Sequence, residues 1–133
     1  MLRYSLLAGV LLVLSACRTD ALLHADARLR SQLRQDGVYR ALQPKGDWMQ
    51  CVLIEENVRT SAYVDLETRE IHQAPCPGDP GSIPLLDAFR VGAEGNILWY
   101  DPLAEHYRPY AEFLVKQRTA AEPVTSGAER ALP

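Results

Sequence analysis

From Pro44 to Pro102 the chain is cut by proline, glycine and turn-forming residues into short segments that read as strands. Trp48 to Glu55 carries Val52, Leu53 and Ile54 and is apolar on both faces, the pattern of a central strand. Glu56 and Asn57 are read as a turn. Residues 61–66 alternate, with Ala62, Val64 and Leu66 on one face and Ser61, Tyr63 and Asp65 on the other. Glu67 and Thr68 are read as a tight turn into Glu70 to Ala74, which closes a hairpin. Pro75 to Pro84 holds four prolines and two glycines and is expected to be an ordered loop. Asp87 to Val91 and Ile97 to Tyr100 flank Gly92-Ala93-Glu94-Gly95-Asn96, a second hairpin with Phe89 and Val91 facing inward.

Helical patterns bracket this region. Thr19 or Asp20 is placed to cap a helix running to about Gln35, with Gly37 just past its end. Leu22, Ala25, Leu29 and Leu33 make its apolar stripe, flanked by Arg28, Arg30 and Arg34. Docking on the body is the default for such a stripe; a free stalk or a stripe covered by a partner are the alternatives. Asp101-Pro102 ends the last strand, and Leu103 to Ala121 is read as helical, with Pro109 starting or kinking it. Tyr110, Leu114 and Gln117 share a face there. Residues 122–133 are expected to form a flexible tail. The expected fold is α+β: an N-terminal amphipathic helix, an antiparallel sheet of about five strands and a C-terminal helix.

A length of 133 residues suits one small domain, and a composition 47% apolar and 23% charged is not that of a disordered chain. Fourteen basic against seventeen acidic residues (net −3) give no sign of nucleic-acid binding. No apolar run reaches the roughly 18 residues that a membrane-spanning helix needs.

The N-terminus reads as an address. Met1 to Arg3 is positive, Tyr4 to Leu14 is apolar, and small residues Ser15 and Ala16 precede Cys17, as in a secretory signal peptide. Leu14-Ser15-Ala16-Cys17 resembles the lipobox of bacterial lipoproteins. The resemblance covers only the N-terminus. It implies removal of residues 1–16 and a Cys17 that is acylated (diacylglycerol, palmitate) and anchors the chain stably. Arg18 stands where an Asp commonly retains enteric lipoproteins in the inner membrane, so the resemblance further implies an outer-membrane protein facing the periplasm. The domain reading is therefore a lipidated N-terminus and helix (17–40), a globular body (41–121) and the tail. Residues 17–40 carry five Arg and three Asp, whereas 41–133 carry eight basic and fourteen acidic groups. A mildly basic stalk near lipid and an acidic body beyond it suit a tethered protein, although ordinary scatter of surface charge gives the same counts.

With Cys17 lipidated, Cys51 and Cys76 remain, and in an oxidising compartment they are expected to pair. The competing reading, a metal held by His72 and Cys76 and completed by Cys51, His24 or His106, lacks a Cys-x-x-Cys element. No phosphate loop, dinucleotide fingerprint or calcium loop is present, so no cofactor and no metal is expected.

No catalytic residue is assigned. Ser61, Asp65 and His72 fall on one expected hairpin, but no nucleophile-elbow context accompanies them. Adjacent Glu55 and Glu56 point to opposite faces of a strand and cannot flank one glycosidic bond. The stronger candidate is a partner-binding cluster, Trp99, Tyr100, Tyr107, Arg108 and Tyr110, whose aromatic and charged composition is that of binding hot spots. Each of these aromatics also has a core reading. The stiff Pro75–Pro84 loop is a second candidate. These features point to a lipid-anchored periplasmic protein-binding module. It would be an accessory component of an envelope or secretion assembly, or an inhibitor or immunity protein against a basic enzyme or toxin. The alternative is a small periplasmic hydrolase or wall-modifying enzyme, for which His72, His106, Asp65 or Asp101 would have to be essential.

Overall fold

The computed structural model describes residues 20–121. The expected signal peptide, acylated Cys17, Thr19 cap and tail 122–133 lie outside the described residues. The first helix, α1 (Ala25–Gln35), follows a single helical turn at 20–23. Leu22, Ala25, Leu29 and Leu33 are all buried, as their spacing predicts, so the helix is docked and is not a free stalk. Its start differs from expectation: the chain breaks at His24, which occupies the N-cap with no side-chain bond, so Asp20 does not cap α1. Its end is a two-bond closure around Gly37 (φ +67°), where the Val38 N–H reaches the Leu33 carbonyl (3.0 Å) and the Gly37 N–H the Arg34 carbonyl (3.2 Å).

Five antiparallel strands follow in sequence order: β1 (Val52–Arg59), β2 (Tyr63–Glu70), β3 (Leu85–Gly92), β4 (Ile97–Asp101) and β5 (His106–Pro109). A second helix, α2 (Tyr110–Ala121), closes the described chain. Several boundaries correct the sequence reading. Trp48–Cys51 is a 3₁₀ turn rather than strand, started by the Asp47 carboxylate, which accepts from the Met49 N–H (3.2 Å). Glu56 and Asn57 do not turn the chain; β1 continues through them with a bulge between Glu56 and Val58. The reversal comes at Thr60, whose hydroxyl accepts from Ala62 N–H (3.1 Å) and Tyr63 N–H (3.0 Å). Glu67 and Thr68 lie within β2, because Thr68 Oγ1 is satisfied across the sheet by the Asp87 backbone. Glu70 ends β2 and no separate strand follows it, so residues 71–84 are the loop.

The stretch read as helix from Leu103 instead contains β5. Asp101 Oδ1 accepts from the N–H groups of Leu103 (3.0 Å) and Ala104 (3.4 Å), folding a turn that returns the chain along β4. Pro109 then ends the strand, and α2 starts one residue later. The expected number of strands thus survives through two opposite errors.

One face of the sheet carries Val52, Val64, Leu66, Phe89, Val91 and Trp99, which share a core with Leu29, Leu33 and Phe113 from the two helices. Phe113 meets Phe89 edge-on at 5.1 Å, a favoured aromatic geometry. The other face carries Leu53, Tyr63, Asp65, Arg90, Leu98, Tyr100 and Tyr107 by register, and neither helix packs against it. Cys51 and Cys76 form the expected disulfide (Cα–Cα 5.5 Å), which ties the 71–84 loop to the start of β1.

Candidate functional site

Side chains alternate across a strand, and this alternation divides the aromatic cluster read from the sequence. Trp99 pairs with Phe89 and Arg108 on the helix side, whereas Tyr100 pairs with Tyr107 on the opposite side. Trp99 is a core residue, 3% exposed, with its indole N–H donating to Asp87 Oδ1 (3.2 Å). Tyr110 also faces the helix layer: its ring lies 5.7 Å from Phe113 and its hydroxyl donates to Asp36 (3.0 Å). Arg108 bridges Asp101 (3.1 Å) and Glu112. The five expected contact residues therefore do not share one surface; Tyr100 and Tyr107 belong together, and Trp99, Arg108 and Tyr110 lie behind them.

On the helix-free face, Tyr100 and Tyr107 join residues that the sequence does not group with them. Arg90 projects from the middle of β3 and grips Asp65 of β2 with two bonds, Nε to Oδ1 (2.7 Å) and Nη2 to Oδ2 (2.9 Å). The same guanidinium lies between two rings, 3.6 Å from the Tyr63 centroid and 4.1 Å from that of Tyr107. Tyr107 in turn meets Tyr100 edge-on at 5.4 Å. Bidentate pairing and cation–π stacking both suit Arg and not Lys. Asp65 and Arg90 are direct cross-strand partners, so only the register brings them together.

The electrostatics of the stack are those of a locked structural pair with aromatic edges. The hydrogen bonds to Asp65 hold the Arg90 guanidinium protonated well above its ordinary range, against the opposing effect of burial. Burial, together with the Asp65 charge, pushes the Tyr107 phenol up to about 12, so it stays a neutral donor at physiological pH. Beside the stack, Arg69 bridges Glu55 (3.2 Å) and Glu67 (2.6 Å). Val58 and Leu85, on the same face by register, are 41% and 52% exposed, enough to widen the apolar part of the patch. This face thus combines aromatic, aliphatic and paired charged groups.

The other candidates are placed as follows. Ser61 lies in the β1–β2 turn, Asp65 is held by Arg90, and the His72 ring contacts Glu70, Asp79 and Ser82, so the three do not form a triad. Glu55 pairs with Arg69 and Glu56 with Arg59, on opposite faces. Cys51 and Cys76 are joined to each other, and no group of three metal-ligating side chains occurs among the described residues. His106 lies on β5, with Nδ1 2.8 Å from the Ala104 carbonyl. No protein-family model matches the chain, and neither a curated protein nor a solved structure shows significant similarity to it.

Proposed function

We propose that the chain is a lipid-anchored envelope protein, held through acyl chains on Cys17 in the outer membrane and facing the periplasm, whose domain binds a protein partner through the helix-free face of its sheet. The observation that carries the binding reading is the Tyr63–Arg90–Tyr107 stack, continued by Tyr100, on a face that neither helix packs against. Tyr and Arg dominate interface hot spots because they bring contact area at low entropic cost. Here the guanidinium is already fixed by Asp65, so little side-chain freedom is lost on docking. The anchor rests on the signal-like leader and the lipobox alone. An accessory component of an envelope assembly and an inhibitor or immunity protein would both use such a face. The excess of acidic residues favours a basic partner through steering. The hydrolase alternative gains no assembled residue set from Ser61, Asp65 and His72.

The test is a pull-down from gently solubilised envelopes with mass spectrometry, comparing the wild-type protein with Tyr100→Ala and Tyr107→Ala. One stoichiometric partner is expected, with its affinity lowered about tenfold by each substitution while the fold is kept. A basic effector would mark an inhibitor, and a resident envelope protein an assembly component. A partner retained undiminished by both variants, or no partner at all, would overturn the reading.

A further inference from the structure

A cleft of about 400 Å³ lies between the end of α1 and the last turns of α2, on the helix layer and away from the open sheet face. Val38, Leu114 and Ala121 supply apolar lining, and Arg40 and Arg118 line the same cleft. Seven other arginines among the described residues are engaged. Arg28 donates to the Gly95 carbonyl and Arg30 to those of Met49 and Val52. Arg34, Arg59, Arg69, Arg90 and Arg108 are ion-paired. The Arg40 and Arg118 side chains are exposed, and neither guanidinium has a hydrogen-bond or ion-pair partner among the described residues.

Their surroundings do not explain them. The one carboxylate of the cleft, Asp36, accepts from the Tyr110 hydroxyl (3.0 Å) and from Gln32 Nε2 (2.8 Å) and pairs with neither arginine. The Leu33 and Arg34 carbonyls at this end of α1 accept from Val38 and Gly37 N–H, and the Arg40 side chain is not bonded to either. In a chain of net charge −3, two guanidinium groups without a partner among the described residues thus line one partly apolar cleft. Guanidinium forks match carboxylates in geometry and charge.

We propose that this cleft binds an acidic peptide segment of a protein partner, with an apolar side chain against Val38 and Leu114 and carboxylates on Arg40 and Arg118. The inference does not depend on the sheet face or on the lipid anchor.

The test is an NMR titration of the purified full-length protein with N-acetyl-leucyl-glutamate, followed at the backbone of Val38, Ala41 and Leu114 and at the two guanidinium groups. Saturable shifts confined to the cleft are expected, weakened about tenfold in Arg40→Gln and in Arg118→Gln. Both residues are exposed, so both variants should keep the wild-type melting temperature. The neutral analogue N-acetyl-leucyl-glutamine amide and plain acetate should bind at least about tenfold more weakly. Absence of saturable shifts, equal binding by the neutral analogue or by acetate, or full binding by both variants would overturn the proposal.

Discussion

His72 shows how one side chain holds a loop. Its Nε2 lies 2.9 Å from Glu70 Oε1 and its Nδ1 2.9 Å from the Asp79 carbonyl, with Ser82 Oγ at 3.0 Å. Glu70 and the carbonyl only accept, so both bonds form together only in the protonated ring, whereas in the neutral ring Nδ1 can accept from the Ser82 hydroxyl instead. A Cβ on Gly78 would come within 2.6 Å of the ring, so glycine is needed where the loop passes His72. The bond to Glu70, above all, raises the His72 pKa, with burial opposing and the Asp79 carbonyl adding to the rise. A raised histidine pKa contributes stability that is fully present below the unfolded-state value and is lost as pH rises through the folded-state value. Amide exchange in residues 73–82 should therefore accelerate as pH is raised above about 6.5, after correction for intrinsic rates, and His72→Gln should remove that dependence. An unchanged pH profile in His72→Gln would contradict the account. Asp87 is a second buried group with a defined set of partners: it accepts from the Tyr39 hydroxyl (2.7 Å) and from Trp99 Nε1, beside Thr68. Burial raises its pKa and also keeps Tyr39 protonated. Tyr39→Phe should cost about 1 kcal/mol, and Asp87→Ala, which strands both donors, about 3 kcal/mol, by urea unfolding. Equal losses would mean that the donors find other partners.

At the scale of elements, the loop 71–84 and strand β5 are shaped by their ends. The disulfide fixes the loop at Cys76, and His72 fixes it again nearer β2. Closing a loop of 25 residues' separation is worth roughly 3.5 kcal/mol in the chain-entropy model. The Cys51→Ala/Cys76→Ala protein should be less stable by about that amount, and reductant should lower the melting temperature of the wild type but not of the double variant. Equal melting of the wild type with and without reductant would count against it. β5 exists because Asp101 folds the turn before it and Pro109 stops it, where burial would raise the Asp101 carboxyl but the backbone donors and Arg108 hold it below its ordinary range. Local helix preference around Leu103 to Arg108 loses to this pairing with β4, which is why the sequence pattern there misleads.

At the scale of the molecule, both described helices cover one side of the sheet and neither packs against the other side. Arg59 Nη1 donates to the Leu22 carbonyl (2.8 Å), so the described chain begins beside the β1–β2 turn, at the opposite end of the sheet from the disulfide loop. Strands of eight residues separate those ends by roughly 25 Å. A tether at Cys17, three residues before Asp20, would hold the turn end near the membrane and point the disulfide loop away from it. Cys17→Ser should leave the precursor unprocessed and without acyl label, and a normally labelled product from that variant would remove the anchor from the reading. Local pattern was enough for the α+β class, the Leu22–Leu33 stripe, the Gly37 helix end and the inward Phe89 and Val91, because periodicity and turn chemistry are properties of neighbouring residues, and the pairing of Cys51 with Cys76 followed from the cysteine count. The candidate face was not legible in this way. Tyr63, Asp65, Arg90 and Tyr107 are spread over three strands, and a shift of one residue in register would have sent each to the other side of the sheet. Which of Trp99 and Tyr100 enters the core, and which meets solvent, is decided by where the helices pack, since strand geometry fixes only that the two point opposite ways.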